Sequence, residues 1–119
     1  MSDLILHHYP ASPFSEKVRL IMGYKKLAWQ SVIIPNIMPK PDLQALTGGY
    51  RRTPVLQVGA DIYCDTSLIV EVLEAHQPAP SLYPSPIEGL VRTLAQWADF
   101  QLFWAAMSYN LGPKGAAYY

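Results

Sequence analysis

The first third of the chain has a pattern of apolar and polar positions that predicts a strand, a helix and a second strand. Leu4–Tyr9 is a short apolar run that ends before Pro10, as expected of a buried strand. Ser15–Lys25 carries apolar side chains at helical spacing, and Trp29–Ile34 is rich in β-branched residues, which favours a strand. Two strands that enclose one helix predict a βαβ unit, whose strands are normally parallel with a right-handed crossover.

The middle of the chain begins with an irregular segment and continues as a β-hairpin and a helix. Pro35–Gly49 holds three prolines and two glycines around a candidate short helix at Pro41–Leu46. Two short apolar strands, Thr53–Val58 and Ile62–Cys64, flank a turn that contains glycine, which predicts a hairpin. Thr66–His76 then repeats apolar residues at helical spacing, behind residues that favour an N-cap. The predicted order is therefore β-α-β-α-β-β-α.

A proline-rich linker and a strongly apolar helix follow this first domain. Gln77–Pro86 contains four prolines in ten residues, which predicts a semi-rigid domain boundary. Ile87–Tyr109 is predicted to form one long helix whose second half is apolar nearly all round, as in a helical bundle. Because the sequence continues for only ten residues beyond it, we expect a helical domain that is cut short or completed by another chain. The predicted domains are residues 1–78 and 87–119, joined by a linker at residues 79–86.

Composition and charge narrow the class of protein. The 119 residues include nine basic and nine acidic side chains, so the chain lacks the excess of positive charge that nucleic-acid binding favours. Its longest apolar stretch falls short of the roughly 18 residues that a spanning helix needs, and no signal peptide is visible. The lone cysteine, Cys64, suits a reducing compartment, and the three histidines lack metal-ligand spacing. We therefore expect a cytoplasmic protein with no metal, nucleic-acid partner or membrane partner.

The residues between the first strand and the first helix carry the candidate chemistry. Ser12 precedes Pro13, a pair typical of an N-cap followed by the first helical position. A hydroxyl at that point lies at the positive end of the helix dipole, which favours a nearby anion such as a thiolate. Two interpretations stay open on these residues alone: Ser12 stabilises a ligand thiolate, or it merely caps the helix.

The order of the elements and several short motifs resemble the soluble glutathione S-transferases. The Thr-Pro-Val-Leu element at Thr53–Leu56 and the Asp65–Thr66 pair that heads a helix match the layout of that family's N-terminal domain. The resemblance implies an α/β, thioredoxin-like fold with a four-stranded mixed sheet, followed by the first helix of an incomplete all-α domain. It also implies glutathione as co-substrate, a small hydrophobic electrophile as second substrate, and a homodimer.

The resemblance also implies a role for Ser12. The run Ser-Pro-Phe-Ser-Glu-Lys at residues 12–17 is similar to the omega-class pattern Cys-Pro-Phe-Ala-Glu-Arg, and Ser12 also matches the activating serine of the zeta class. It implies that Ser12 donates a hydrogen bond to the sulfur of glutathione. The activating tyrosine of other classes corresponds to His8, which disfavours a tyrosine mechanism. Serine cannot form the mixed disulfide of an omega-type thiol transferase, which disfavours that reaction as well.

The same family pattern implies further glutathione-binding positions. Thr53 is expected to precede a cis-proline, Pro54, and to pair its backbone with the cysteinyl part of glutathione; a proline that starts an edge strand is the alternative. Asp65 and Thr66 stand where the family usually has Glu-Ser, and are implied to bind the γ-glutamyl end. Each could instead be an ordinary helix cap.

Three other residues complete the candidate set. Lys40 lies in a Lys-Pro-Asp run that resembles the Lys-Pro-Glu of omega members, where the lysine reaches the glycyl carboxylate. A solvated lysine is the alternative there. Phe14 belongs to the same motif as Ser12 and is implied to contact glutathione. Cys64, at the end of an apolar strand, is expected to be a small buried hydrophobe rather than a nucleophile.

The function expected from the resemblance is a glutathione transferase domain in which Ser12 stabilises the thiolate for attack on an electrophile. The alternative is a non-catalytic module with the same fold, used for protein association or ligand storage. That alternative is motivated by the helical domain, most of which is absent from the 119 residues and which, in the family, helps to form the second substrate site.

Overall fold

Four short strands form one mixed sheet in the computed structural model, which describes residues 3–34 and 53–110. Strand β1 is Leu4–His8, β2 is Gln30–Ile33, β3 is Val55–Val58 and β4 is Asp61–Cys64. Their order across the sheet is β2-β1-β3-β4, with β1 and β2 parallel and the other neighbours antiparallel. The structure therefore confirms the predicted four-stranded mixed sheet and the parallel pair of the βαβ unit.

The chain divides into two units, of which the first ends at Pro80 and the second begins at Ser81. Two predictions fall outside the described residues: the short helix at Pro41–Leu46 and the glutathione ligand Lys40.

Helix α1, Pro13–Tyr24, begins where the sequence predicted an N-cap. Ser12 is extended (φ −75°, ψ 120°), and its side chain accepts a hydrogen bond from the Ser15 N–H. Pro13 occupies the first helical position, where its missing N–H leaves no hydrogen bond unmade. The predicted N-cap is confirmed.

The core of the first unit forms where α1 and α2 pack together and cover the sheet. Helix α2 is Thr66–His76, with the bounds predicted from the sequence, and it contacts α1, β3 and β4. Its apolar face buries Ile69 and Leu73 completely. Each such side chain stabilises the fold by about 1.5–3 kcal/mol relative to an exposed one. The core cluster consists of Leu4, Leu6, Val18, Met22, Leu56, Ile69 and Leu73.

The predicted hairpin is confirmed, and its turn depends on a glycine. Gly59 has φ 61°, in the left-handed region that glycine adopts without a steric penalty. Val58 and Asp61 face each other across the start of the antiparallel pair. The turn therefore consists of Gly59 and Ala60.

Lys25, which directly follows α1, is the largest completely buried side chain described in the first unit and is only 1% exposed. Its Nζ donates to Glu74 Oε1 at 2.7 Å and to the backbone oxygens of Gln77 at 2.6 Å and Pro80 at 2.8 Å. An ammonium group has three donors, so all of them are used. The end of α1 is thereby tied to the end of α2 and to the segment that follows it.

The second unit is a helical run that departs from the single helix predicted over Ile87–Tyr109. A 3₁₀ turn at Ser85–Ile87 leads into helix α3, Glu88–Trp97, and helix α4 is Phe103–Asn110. Between α3 and α4, Ala98–Leu102 is π-helical. The Phe103 N–H there bonds to the Ala98 carbonyl, one residue further back than in an α-helix. The predicted long helix is therefore helical throughout Glu88–Asn110, but its α-helical hydrogen bonding is interrupted by the π-helical segment.

Most of the large apolar side chains predicted for a bundle core are exposed in the described part of the second unit, whereas Phe103 is half-buried. None of the described residues after Ser81 is fully buried. The exposed large apolar residues of α3, the π-helical segment and α4 are Leu90, Leu94, Trp97, Phe100, Leu102, Trp104 and Tyr109.

Candidate functional site

Three strands end at the same edge of the sheet where a fourth begins, and the candidate residues that the structure describes adjoin that edge. His7 is paired with Val55, and Val55 is paired with Cys64. His8 is paired with Ile33 across the parallel pair. The carboxyl ends of β1, β2 and β4 therefore meet the amino end of β3. The segments that adjoin this edge are the loop before α1 with Ser12, the pair Thr53–Pro54, and the pair Asp65–Thr66.

Ser12 is held by three hydrogen bonds that leave its own hydroxyl proton uncommitted. Its N–H donates to the Tyr9 carbonyl at 3.2 Å, and its carbonyl accepts from the Glu16 N–H at 3.0 Å. Its Oγ accepts from the Ser15 N–H at 3.1 Å. Because Oγ acts as an acceptor in that bond, the O–H remains a donor for another group. The residue is only 4% exposed, so a partner of this hydroxyl must approach it closely.

Pro54 follows a cis peptide bond after Thr53, as the resemblance implied. Pro54 is completely buried, whereas Thr53 is partly exposed and lies just before β3 begins. The expected cis bond is therefore confirmed.

Asp65 is the N-cap residue of α2, but its side chain makes no capping hydrogen bond. Its backbone has φ 73° and ψ 128°, a conformation that few residues other than glycine adopt. The side chain is exposed, while Thr66 beside it is only 7% exposed. The ordinary side-chain cap considered for Asp65 is thus not formed, and a carboxylate stands at the positive end of a helix.

Phe14 is the second residue of α1 and is partly buried. It adjoins the same end of the helix as Ser12.

Arg19, which was not among the predicted site residues, supports the loop between β1 and α1 and is itself bonded to His8. The Arg19 guanidinium donates to the Tyr9 carbonyl at 3.4 Å and to the Pro10 carbonyl at 3.1 Å. It also bonds to His8 Nδ1 at 2.8 Å and forms an ion pair with Glu16 at 2.8 Å. A buried histidine at a strand end and an arginine two turns into the next helix give only a weak sequence signal.

His8 is neutral in this arrangement. Arginine can only donate, so Nδ1 of His8 is an acceptor, and Nε2 carries the proton toward Ser31 Oγ at 2.6 Å. The ring also packs edge-on against Trp29, with centroids 5.4 Å apart. Burial lowers the pKa of His8 from 6.5, and the charges of Arg19 and His7 lower it further.

Cys64 is partly buried beside a small apolar cluster that contains Ile34 and Val55. Burial raises the pKa of its thiol from 9.0, which disfavours the reactive thiolate. Among residues 3–34 and 53–110, no group of three or more histidine, cysteine, aspartate or glutamate side chains could hold a metal ion. No helix in those ranges is long and apolar enough to cross a bilayer.

The fold and the composition of this sheet edge define a thioredoxin-like domain. Residues 6–81 match the family described as glutathione S-transferase, N-terminal domain. The chain therefore belongs to the glutathione S-transferase N-terminal domain family.

Two solved relatives agree with this assignment, and one curated protein is also similar to the chain. A GST-like protein from Pseudomonas syringae is 59% identical with a TM-score of 0.89, over 96% of this chain and 42% of that one. A glutathione S-transferase from Rhodospirillum rubrum is 30% identical with a TM-score of 0.72, over 82% of this chain and 45% of that one. FtsZ-localized protein A of Caulobacter vibrioides is 28% identical over 99 residues, which are 79% of this chain and 43% of that protein. The chain thus spans less than half the length of these relatives.

Three further glutathione transferases or homologues, solved with bound glutathione, share the fold at 20% to 22% identity.

Proposed function

We propose that the first unit binds glutathione, with the Ser12 hydroxyl donating a hydrogen bond to the ligand's thiolate. The observation that carries this proposal is the bonding of Ser12 Oγ. It accepts the Ser15 N–H at 3.1 Å, which orients the hydroxyl and leaves its proton available.

The thiolate would gain stability from two sources at this position. A free thiol has a pKa of about 8.5, and each unit of lowering requires about 1.4 kcal/mol of preferential thiolate stabilisation. A charge-assisted hydrogen bond contributes about 1.5–3 kcal/mol. The N-terminus of α1 adds about 0.3–1 kcal/mol through the helix dipole. Together these terms are of the size needed to lower the thiol pKa by one to two units, so that the nucleophile is largely ionised near neutral pH.

The ends of glutathione would be held by groups on neighbouring segments. The Asp65 carboxylate makes no capping bond and is exposed, so it is available to the ligand's α-amino group. Thr66 and the first N–H groups of α2 would donate hydrogen bonds to the α-carboxylate, as helix N-termini do for anions. The Thr53 backbone would pair with the cysteinyl part of the ligand, Phe14 would contact it, and Lys40 would reach the glycyl carboxylate.

The reaction we propose is attack of this thiolate on a small hydrophobic electrophile. Holding the two reactants together converts a bimolecular encounter into a step within one complex.

Calorimetric titration with glutathione, combined with ultraviolet titration of the bound thiol, tests the role of Ser12. Ser12→Gly is the most informative change, because glycine is tolerated at an N-cap at a cost of only ~0.3 kcal/mol yet removes the hydroxyl. We expect the pKa of the bound thiol to rise by about one to two units in this variant. Ser12→Thr, which keeps a hydroxyl and a cap, is the matched control and should preserve binding. An unchanged thiol pKa in Ser12→Gly would exclude the proposed role.

A non-catalytic binding module is the second candidate function. It is favoured by the similarity to FtsZ-localized protein A. Turnover assays with several electrophiles separate the two candidates. Glutathione binding without conjugation would favour the module, and the absence of glutathione binding would exclude the transferase.

Three broader expectations stay predictions. They are a cytoplasmic location, a homodimer, and a domain boundary with a linker at residues 79–86.

A further inference from the structure

The loop that carries Ser12 is bonded to Arg19 at two consecutive carbonyl groups. The guanidinium donates to the oxygens of Tyr9 and Pro10 at 3.4 and 3.1 Å. The Tyr9 carbonyl also accepts the Ser12 N–H at 3.2 Å. Arg19 and Ser12 therefore share an acceptor, so the position of the guanidinium bears directly on the position of Ser12.

His8 and Glu16 hold the guanidinium from two other directions. Arg19 Nη1 donates to His8 Nδ1 at 2.8 Å, and the Glu16 carboxylate accepts from Nε at 3.2 Å and from Nη2 at 2.8 Å. The Arg19 side chain is 16% exposed and Glu16 is 54% exposed, so His8 is the more sheltered of the two partners. His8 itself is fixed by Ser31 and by its edge contact with Trp29.

The bond between His8 and Arg19 exists in one protonation state only. A neutral histidine offers Nδ1 as an acceptor, whereas a protonated histidine has two donors and no acceptor. Protonation would therefore place an N–H against a guanidinium N–H and bring two positive charges together. Both effects displace Arg19 from the loop.

We propose that His8 and Arg19 are a pair of positioning residues that holds the Tyr9–Ser12 loop, and with it the Ser12 hydroxyl, in place only while His8 is neutral. The pair makes the loop sensitive to acid. The expected effect of acid on glutathione binding rests on the function proposed for Ser12, but the expected effect of acid on the loop does not.

The charged and titratable groups around His8 support this direction. Arg19 approaches from α1, and His7 is its neighbour on β1; both favour the neutral form through their charge. The contact that β2 makes with the His8 ring is the uncharged Ser31 hydroxyl. The Glu16 carboxylate is bonded to Arg19, which in turn is bonded to His8. Burial acts in the same direction and is the largest influence on the pKa of His8.

Amide hydrogen exchange of the 119-residue chain, measured by NMR, tests the proposal without any ligand. The reporters are the Ser12 N–H, bonded to Tyr9, and the Ser15 N–H, bonded to Ser12 Oγ. Between about pH 7.5 and pH 5 we expect the protection factors of both amides to fall about tenfold, while those of core strand amides stay constant.

Two variants identify the groups responsible. His8→Asn supplies a carbonyl oxygen near the position of Nδ1 but does not titrate, so it should keep the loop protected at both pH values. His7→Asn is its matched control and should retain the acid-induced loss of protection, with a midpoint at higher pH because the charge of His7 also lowers the pKa of His8. Arg19→Lys keeps the positive charge but loses the planar guanidinium that bonds to His8 and to both loop carbonyls. It should therefore lower the protection of the two reporter amides at both pH values. Arg92→Lys, at an exposed arginine paired with Glu88 in the second unit, is the matched control.

The outcomes separate this proposal from the proposed function. The same acid-induced loss in His8→Asn as in the wild type would overturn the pairing, as would full protection in Arg19→Lys. If Arg19→Lys does not fold, the two histidine variants decide the question.

Calorimetry then tests the consequence for the ligand: glutathione affinity should fall about tenfold in Arg19→Lys. If the wild type does not bind glutathione, the proposed function fails, but the exchange data still decide whether the pair holds the loop.

Discussion

Lys25 and Glu74 form an ion pair of 2.7 Å that joins the end of α1 to the last turn of α2. The Lys25 side chain is completely buried, whereas Glu74 retains 20% exposure. Two backbone carbonyls complete the coordination of the ammonium group. A buried charge is tolerated only when its hydrogen bonds are made, so this pair and its two carbonyls function as one unit.

Replacing Lys25 should therefore destabilise the first unit strongly. Lys25→Met keeps the apolar stem but removes the buried ammonium group that donates to Glu74 and to two carbonyl groups, and we expect a loss of about 3–5 kcal/mol. Urea denaturation followed by circular dichroism measures the change. Lys26→Met, at the neighbouring exposed lysine, is the matched control and should change the free energy of unfolding by less than about 0.5 kcal/mol. Equal effects of the two substitutions would contradict the structural role of Lys25.

Two leucines of α2 offer a direct test of the core. Leu73 is completely buried, whereas Leu68 is 48% exposed on the same helix. Leu73→Ala should cost about 2–5 kcal/mol, because it removes buried methyl groups and leaves a cavity. Leu68→Ala should cost less than about 1 kcal/mol, since alanine has the higher helix propensity and little burial is lost. Thermal denaturation of both variants measures the difference, and a similar loss for both would mean that α2 packs through another face.

Two glycines should respond to alanine with opposite signs. Gly59 has φ 61°, so a Cβ there is strained and Gly59→Ala should destabilise the hairpin by about 1 kcal/mol. Gly23 lies in α1, and a Cβ added there meets nothing within 4 Å. Gly23→Ala should stabilise by about 0.5–1 kcal/mol through helix propensity. Urea denaturation of the two variants gives both signs, and stabilisation by Gly59→Ala would rule out the turn conformation described.

Stability should depend on pH through His8. Its pKa is lowered in the folded protein, so between that pKa and 6.5 the unfolded chain binds more protons than the folded one. The stabilisation is therefore complete above 6.5 and is lost as the pH falls through the folded pKa. Denaturation midpoints across this range should show a decline in the wild type. His8→Asn should flatten that decline, and His7→Asn should leave it in place; a decline of equal slope in His8→Asn would assign it to another group.

Local features were predictable because their causes lie within a few residues. The Ser12 cap depends on a hydroxyl three residues before a backbone N–H, and Pro13 suits the first helical position. The α2 helix kept its predicted bounds, Thr66–His76, since its apolar periodicity and its start are encoded in consecutive residues. The hairpin was predictable for the same reason, as Gly59 supplies the required backbone conformation. The cis bond at Pro54 and the assignment of the sheet as mixed depended instead on the family resemblance.

Only the tertiary structure decided which polar residues are buried and bonded to residues distant in the sequence. Lys25 and Glu74 are 49 residues apart, and periodicity alone says nothing of such a contact. His8, Arg19 and Ser31 come from three different elements and meet only when the βαβ unit closes. The sequence by itself determined the order of elements and the position of Ser12 at a helix start, because these follow from local sterics and hydrogen bonding. The fold determined the burial, the protonation of His8 and the bonds that hold the Ser12 loop, because those depend on side chains brought together across the sheet.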